Sequence, residues 1–170
     1  MLKIMFLFCC FCSFGFAQKS AAQKSKVNSF IGGNLIIAYP QDEFKNGYKI
    51  GTGVDASLGF GSKHVYAIGT VGYLSYKPQS GNVYGKISVI PVKAGVRIYP
   101  GNFFFLSGNA GVGFLKDEVN TNRSSRFMYD AGLGFHFILG QVSLHYDAWQ
   151  RKNTTGASGA IQLKLGLALN

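Results

Sequence analysis

Between Tyr48 and Gly61 the chain alternates without interruption. Tyr48, Ile50, Thr52, Val54, Ala56, Leu58 and Phe60 fall on one parity, and Lys49, Gly51, Gly53, Asp55, Ser57, Gly59 and Gly61 on the other. A period of two over this length is a β-strand with two chemically different faces, because successive side chains leave opposite sides of the backbone. The pattern recurs from Phe127 to Phe137 and again from Ile161 to Leu169, where Ile161, Leu163, Leu165, Leu167 and Leu169 oppose Gln162, Lys164, Gly166 and Ala168. Weaker versions occupy 29–39, 64–76, 86–99, 103–115 and 141–149, which makes eight strands. The connections alternate in length. Pro40 to Gly47, Lys77 to Gly85, Lys116 to Ser125 and Gln150 to Gly159 are long and polar, whereas Gly61-Ser62-Lys63, Pro100-Gly101-Asn102 and Leu139-Gly140 are tight. Long loops at one end and tight turns at the other describe an all-β, antiparallel up-and-down barrel. No helical periodicity is expected after the N-terminal segment.

A barrel of this size can turn either face outward. A soluble one hides its apolar face, and a membrane one shows it. Eight strands leave an interior just wide enough for side chains to fill. The glycine-rich face suits that crowded lumen, and the bulky apolar face suits the outside. Charge points the same way. Only 14% of residues are charged, against about 25% in ordinary soluble domains. Within the strands, Lys49, Asp55, Lys93, Arg97, Asp130, Asp147 and Lys164 all fall on the glycine-rich parity. A lysine or arginine facing lipid at mid-depth would cost about 2–4 kcal/mol, so the apolar parity is the lipid-facing one. The composition excludes a disordered tail. The 17 Lys and Arg against 7 Asp and Glu are dispersed over loops and lumen, so the basic excess does not imply nucleic acid.

Residues 1–17, MLKIMFLFCCFCSFGFA, carry one lysine, an apolar run and small residues at Gly15 and Ala17. This is the layout of a secretory signal peptide. Residues 18–27 (QKSAAQKSKV) read as a flexible periplasmic lead-in, and 28–170 as the barrel domain. All 3 cysteines, Cys9, Cys10 and Cys12, lie in the signal segment. Neither a disulfide framework nor a thiolate site is therefore expected in the barrel. His64, His136 and His145 are too scattered for a metal site, and no cofactor is expected.

The hairpin rhythm, the segment Ile90-Pro91-Val92-Lys93-Ala94-Gly95-Val96-Arg97-Ile98-Tyr99 and the apolar last strand carry a family likeness. Over nearly all of 28–170 the chain resembles the small eight-stranded outer-membrane barrels of Gram-negative bacteria, of the OmpA-transmembrane-domain and OmpX type. The family usually closes on an aromatic residue, whereas here Asn170 follows Leu169. The resemblance implies a monomer in the outer membrane, both termini in the periplasm, with the long loops facing lipopolysaccharide.

The lumen is then expected to hold a charge network of Lys49, Asp55, Lys93, Arg97, Asp130, His136, His145, Asp147 and Lys164. Buried charges must be paired, so Lys93 and Arg97 should meet Asp55, Asp130 or Asp147. Such a network reads as a polar plug, with a narrow ion path as the other possibility. Lys77, Lys86, Arg123, Arg126, Arg151 and Lys152 form the expected basic rim toward lipopolysaccharide phosphates. Tyr39, Tyr48, Tyr76, Phe114, Phe127 and Tyr129 near one end, with Phe60, Phe104 and Phe137 near the other, read as two aromatic girdles. Pro91 lacks a ladder donor and calls for a bulge or a local break. The resulting role is structural or surface-interacting. One alternative is a lipid A-modifying barrel enzyme. A deacylase group among such barrels carries a late His-x-Ser pair, but here the stretch is Leu144-His145-Tyr146-Asp147 and the serine is missing. The other alternative is a secreted lipocalin-like barrel, which the charged, glycine-rich second face disfavours. The expectation is therefore not an enzyme.

Overall fold

The computed structural model describes residues 27–80, 85–117, 123–150 and 157–169. The signal peptide, all of the lead-in but Val27, and the rim residues Arg151 and Lys152 lie outside the described residues. The strands are β1 (Asn28–Pro40), β2 (Tyr48–Gly61), β3 (Val65–Pro78), β4 (Ile87–Ile98), β5 (Phe104–Asp117), β6 (Arg123–His136), β7 (Gly140–Gln150) and β8 (Ala157–Leu169). Each pairs antiparallel with its sequence neighbour, and β1 pairs with β8 to close the barrel. Closure leaves no sheet edge, so every strand finds ladder partners on both sides without water.

The apolar parity lies outside. At mid-height Leu35 pairs with Val54 on one side and Leu165 on the other, and Leu35 is 67% exposed. Val92, Val96, Val112, Leu133 and Leu144 continue this exposed belt. The lumen parity is buried and filled. Its glycines make room for rings on the neighbouring strand. A Cβ on Gly51 would come within 2.5 Å of the Tyr76 ring, and one on Gly132 would strike the His145 imidazole. Glycine is thus the counterpart of several large lumen side chains, Phe30, Tyr76, Phe105, Met128 and His145 among them, which is why both kinds share one face.

Three departures from the sequence expectation matter for function. First, the β2–β3 register shifts between Tyr48 and Gly51. A bulge inserts one residue and reverses the parity of what precedes it. Tyr48 therefore turns inward and is buried, and Lys49 turns outward and is exposed. Lys49 is not part of the lumen network, and Tyr48 is not part of a girdle. Tyr76, also expected in the girdle, is only 1% exposed and lies in the lumen. Second, the first long loop contains a helix, α1 (Asp42–Gly47), where none was expected. Asp42 and Glu43 sit in its first turn and Lys45 in its last, the arrangement that complements the helix dipole. Its buried side chain is Phe44, which reaches into the mouth of the tube. Third, at Pro91 the β3–β4 ladder is interrupted opposite Gly72 and resumes without a change of register. The missing donor produces a local break and no bulge.

Candidate functional site

The lumen is stratified. At the loop end Phe44 stacks on Tyr48 at 4.8 Å and meets Tyr76 and Trp149 edge-on at 5.0 and 4.9 Å. Ile36, Leu74, Val89 and Met128 complete this apolar plug. At the turn end Phe30, Tyr66 and Ile68 form a second plug, with Tyr99 packed against it. These apolar ends were not anticipated. Their residues share the polar parity, and only closure of the barrel collects them into layers.

Between the plugs lies the ionic layer. Lys93 bridges two carboxylates, Asp130 and Asp147, and donates to Asp147 Oδ2 at 2.9 Å. Lys164 donates to Asp55 Oδ2 at 2.8 Å, and Asn34 to Asp55 Oδ1 at 2.6 Å. Gln162 and Asn109 donate to Asp147 and Asp130, each at 2.7 Å. With Lys49 outside, three carboxylates (Asp55, Asp130, Asp147) face three basic side chains (Lys93, Arg97, Lys164), all buried. The layer is formally neutral when His145 is neutral. Low-dielectric burial demands that balance.

Arg97 departs from expectation. Its guanidinium donates to Gln141 Oε1 at 3.1 Å and lies over the Phe30 and Phe105 rings at 4.9 and 4.3 Å. Two aromatic faces take the place of a carboxylate. Gln141 in turn donates to Asn34 at 2.7 Å, which ties Arg97 to the Asp55 cluster. His136 also stands apart. It is half-buried near the turn end, its ring edge-on to Tyr99 at 6.5 Å.

His145 lies 3.1 Å from Asp130 through Nδ1 and 3.2 Å from Ser143 Oγ through Nε2. That is the connectivity of an acid–histidine–serine relay. The serine precedes the histidine by two residues on the same strand face, so a search for a serine after His145 passes over it. Ser143 and His145 are 5% and 4% exposed. They border a cavity of about 10 Å³, shared with Arg97, Lys164 and Ser57 among others, which holds about one water molecule. The space admits no acyl chain.

The rim divides by parity. Lys77 and Lys116 are exposed on the outer parity. Lys86, just before β4, is half-buried and borders an outer groove with Tyr73 and Phe114. Arg126 lies two residues from the buried Met128 on the lumen parity and is half-buried at the mouth, so it does not face the lipid side. Arg123 opens β6 opposite Lys116. Lys49, displaced by the bulge, joins the outer set and donates to Ser80 at 2.8 Å. Tyr39, Phe114, Phe127 and Tyr129 are exposed near the loop end, and Phe60 and Phe137 near the turn end. Among the described residues no cluster of three or more metal-ligating side chains occurs.

No protein-family model matches the chain, and no curated protein matches its sequence. Solved structures do. The N-terminal barrel domain of Pseudomonas aeruginosa OprF superposes with a TM-score of 0.60 at 13% identity, covering 82% of this chain and 97% of that one. Ail, the attachment invasion locus protein of Yersinia pestis, gives 0.56 at 18%, covering 83% and 97%. The outer membrane enzyme PagL gives 0.54 at 12%, covering 82% and 99%. The chain thus has the fold of the small eight-stranded outer-membrane β-barrels.

Proposed function

We propose that the protein is a monomeric outer-membrane barrel with a structural or surface-interaction role, a non-conducting lumen, and a basic loop end that meets lipopolysaccharide phosphates. Both termini then lie in the periplasm, and no catalytic group or cofactor is required. The observation that carries this proposal is the inverted distribution of side chains. The exposed belt is apolar from Leu35 round to Leu165, while Asp147, fully buried at 0% exposure, sits with its lysine inside the tube. A lipocalin-like binder needs the reverse, an apolar calyx in a polar shell. The two apolar plugs and the paired ionic layer support a closed lumen, since an ion would have to displace both. The outward placement of Lys49, Lys77 and Lys116 supports contact with anionic groups at headgroup height. Yersinia pestis Ail, in complex with the heparin analogue sucrose octasulfate, is a precedent for a polyanion on a barrel of this fold.

Planar-bilayer recording tests the closed lumen. Wild-type protein and the Arg97→Ala variant should both give no discrete single-channel steps. Steps in wild type that change in the variant contradict it.

The Ser143–His145–Asp130 relay and the likeness to PagL give the enzyme alternative its one foothold. The mass of lipid A from cells expressing the protein distinguishes the two. An unchanged mass agrees with the non-enzymatic role. Loss of an acyl chain that is abolished by Ser143→Ala establishes a hydrolase.

A further inference from the structure

The bulge at the start of β2 has a consequence beyond removing a charge from the lumen. Lys49 emerges beside Lys45 of α1, and the two flank a groove of about 520 Å³. That volume lies in the range of small-ligand sites, about 300–1,000 Å³. Tyr39, Pro40, Tyr48 and Ile50 form its apolar wall, and Gln41 and Gln79 its polar edges. The walls are fixed by backbone. Gln79 N–H donates to the Gly47 carbonyl at 2.9 Å, the Gln79 side chain to the Lys45 carbonyl at 3.2 Å, and Gln41 N–H to the Gly159 carbonyl at 2.9 Å. Tyr39 and Ile50 are 43% and 52% exposed, and on their strands they lead down to the lipid-facing Ile37 and Val54. The groove therefore opens at its foot onto the apolar belt and at its head onto two ammonium groups. The acids of the same turn, Asp42 and Glu43, are not among its walls. The hydroxyl that Lys49 meets, Ser80, is neutral.

We propose that this groove binds a phosphorylated membrane amphiphile of the outer leaflet, its phosphate between Lys45 and Lys49 and an acyl chain along Tyr39 and Ile50. A phosphate with no chain would leave the apolar wall unused, and an uncharged lipid would leave two lysines without a counter-charge. The assignment rests on the outer-membrane placement proposed above and adds a defined site to it.

The test uses the full mature chain in detergent, with lipid A as probe and native mass spectrometry or titration as readout. Heat-modifiable gel migration first checks that each variant is folded. Lys45→Gln with Lys49→Gln should weaken lipid A binding at least about ten-fold, the loss expected when charge-assisted contacts are removed. Lys49→Arg should bind like wild type. Lys86→Gln with Lys116→Gln, which border a different groove with Tyr73 and Phe114, should change binding less than about three-fold. Inorganic phosphate at millimolar concentration should not compete. Should the double lysine variant prove misfolded, Lys45→Glu alone gives the same reading from outside the barrel wall and should also lose binding. Equal binding by the Lys45/Lys49 variant overturns the site. So does full competition by inorganic phosphate, which would make it a simple anion site. Binding lost only in the Lys86/Lys116 variant overturns the groove and leaves the basic rim standing. Binding by no form of the protein overturns both.

Discussion

At the scale of single residues, Lys93 carries the largest burden. Asp130 and Asp147 stand directly opposite each other on β6 and β7, and like charges in that position repel. The Lys93 ammonium, reaching across from β4, makes the pair tolerable. Removing one partner of a buried ionic group leaves uncompensated charge and costs about 3–5 kcal/mol. Lys93→Met should therefore lower the unfolding free energy in detergent by that amount, followed by denaturant titration. Adding Asp147→Asn should return part of it. An unchanged midpoint for Lys93→Met would mean the carboxylates are not held as described. Alternation alone assigns Asp55, Lys93, Asp130, Asp147 and Lys164 to one face, because the period of two is a local property of the backbone. Lys49 escapes that reading because its bulge is set by how β2 pairs with β3. Arg97's choice of two rings over a carboxylate depends on Phe30 and Phe105 arriving from distant strands, which no local pattern contains.

At the scale of elements, α1 was the least legible part of the chain. At 6 residues it is too short to show a 3.6-residue period or to be stable in isolation, and it is held by Phe44 in the plug and by the Gln79 bonds to its last carbonyls. The strands, by contrast, are long enough for their pattern to be read, although β6 and β8 begin four residues earlier than the alternation suggests. Phe44→Ala removes a ring packed against Tyr48, Tyr76 and Trp149. Trp149 emission should shift to the red as the mouth hydrates. Stability should fall by an amount toward the lower end of the about 3–5 kcal/mol typical of buried Phe→Ala changes, because the lid can yield locally. Unchanged Trp149 emission would show that α1 does not seal the tube.

At the scale of the whole molecule, the chain is an inside-out protein, with an ionic layer buried in its interior and a belt of apolar side chains outside. Sheet closure makes this possible, since apart from the break at Pro91 it engages the backbone donors of the belt in the ladder. Tyr76, Phe105, Met128 and Trp149 are all buried in the narrow lumen, and an eight-stranded tube is just wide enough for side chains to fill, which supports the closed lumen proposed above. Brominated-lipid quenching measures this sidedness most directly. The single native tryptophan, Trp149, is replaced by Phe, and a reporter is placed by Leu35→Trp at the middle of the belt. In vesicles of lipids brominated along the acyl chain, the new tryptophan should be strongly quenched by bromine and almost untouched by aqueous acrylamide. Quenching by acrylamide with none from the brominated chains would contradict the account, because Leu35 would then face water and the ionic layer could not be the protected interior.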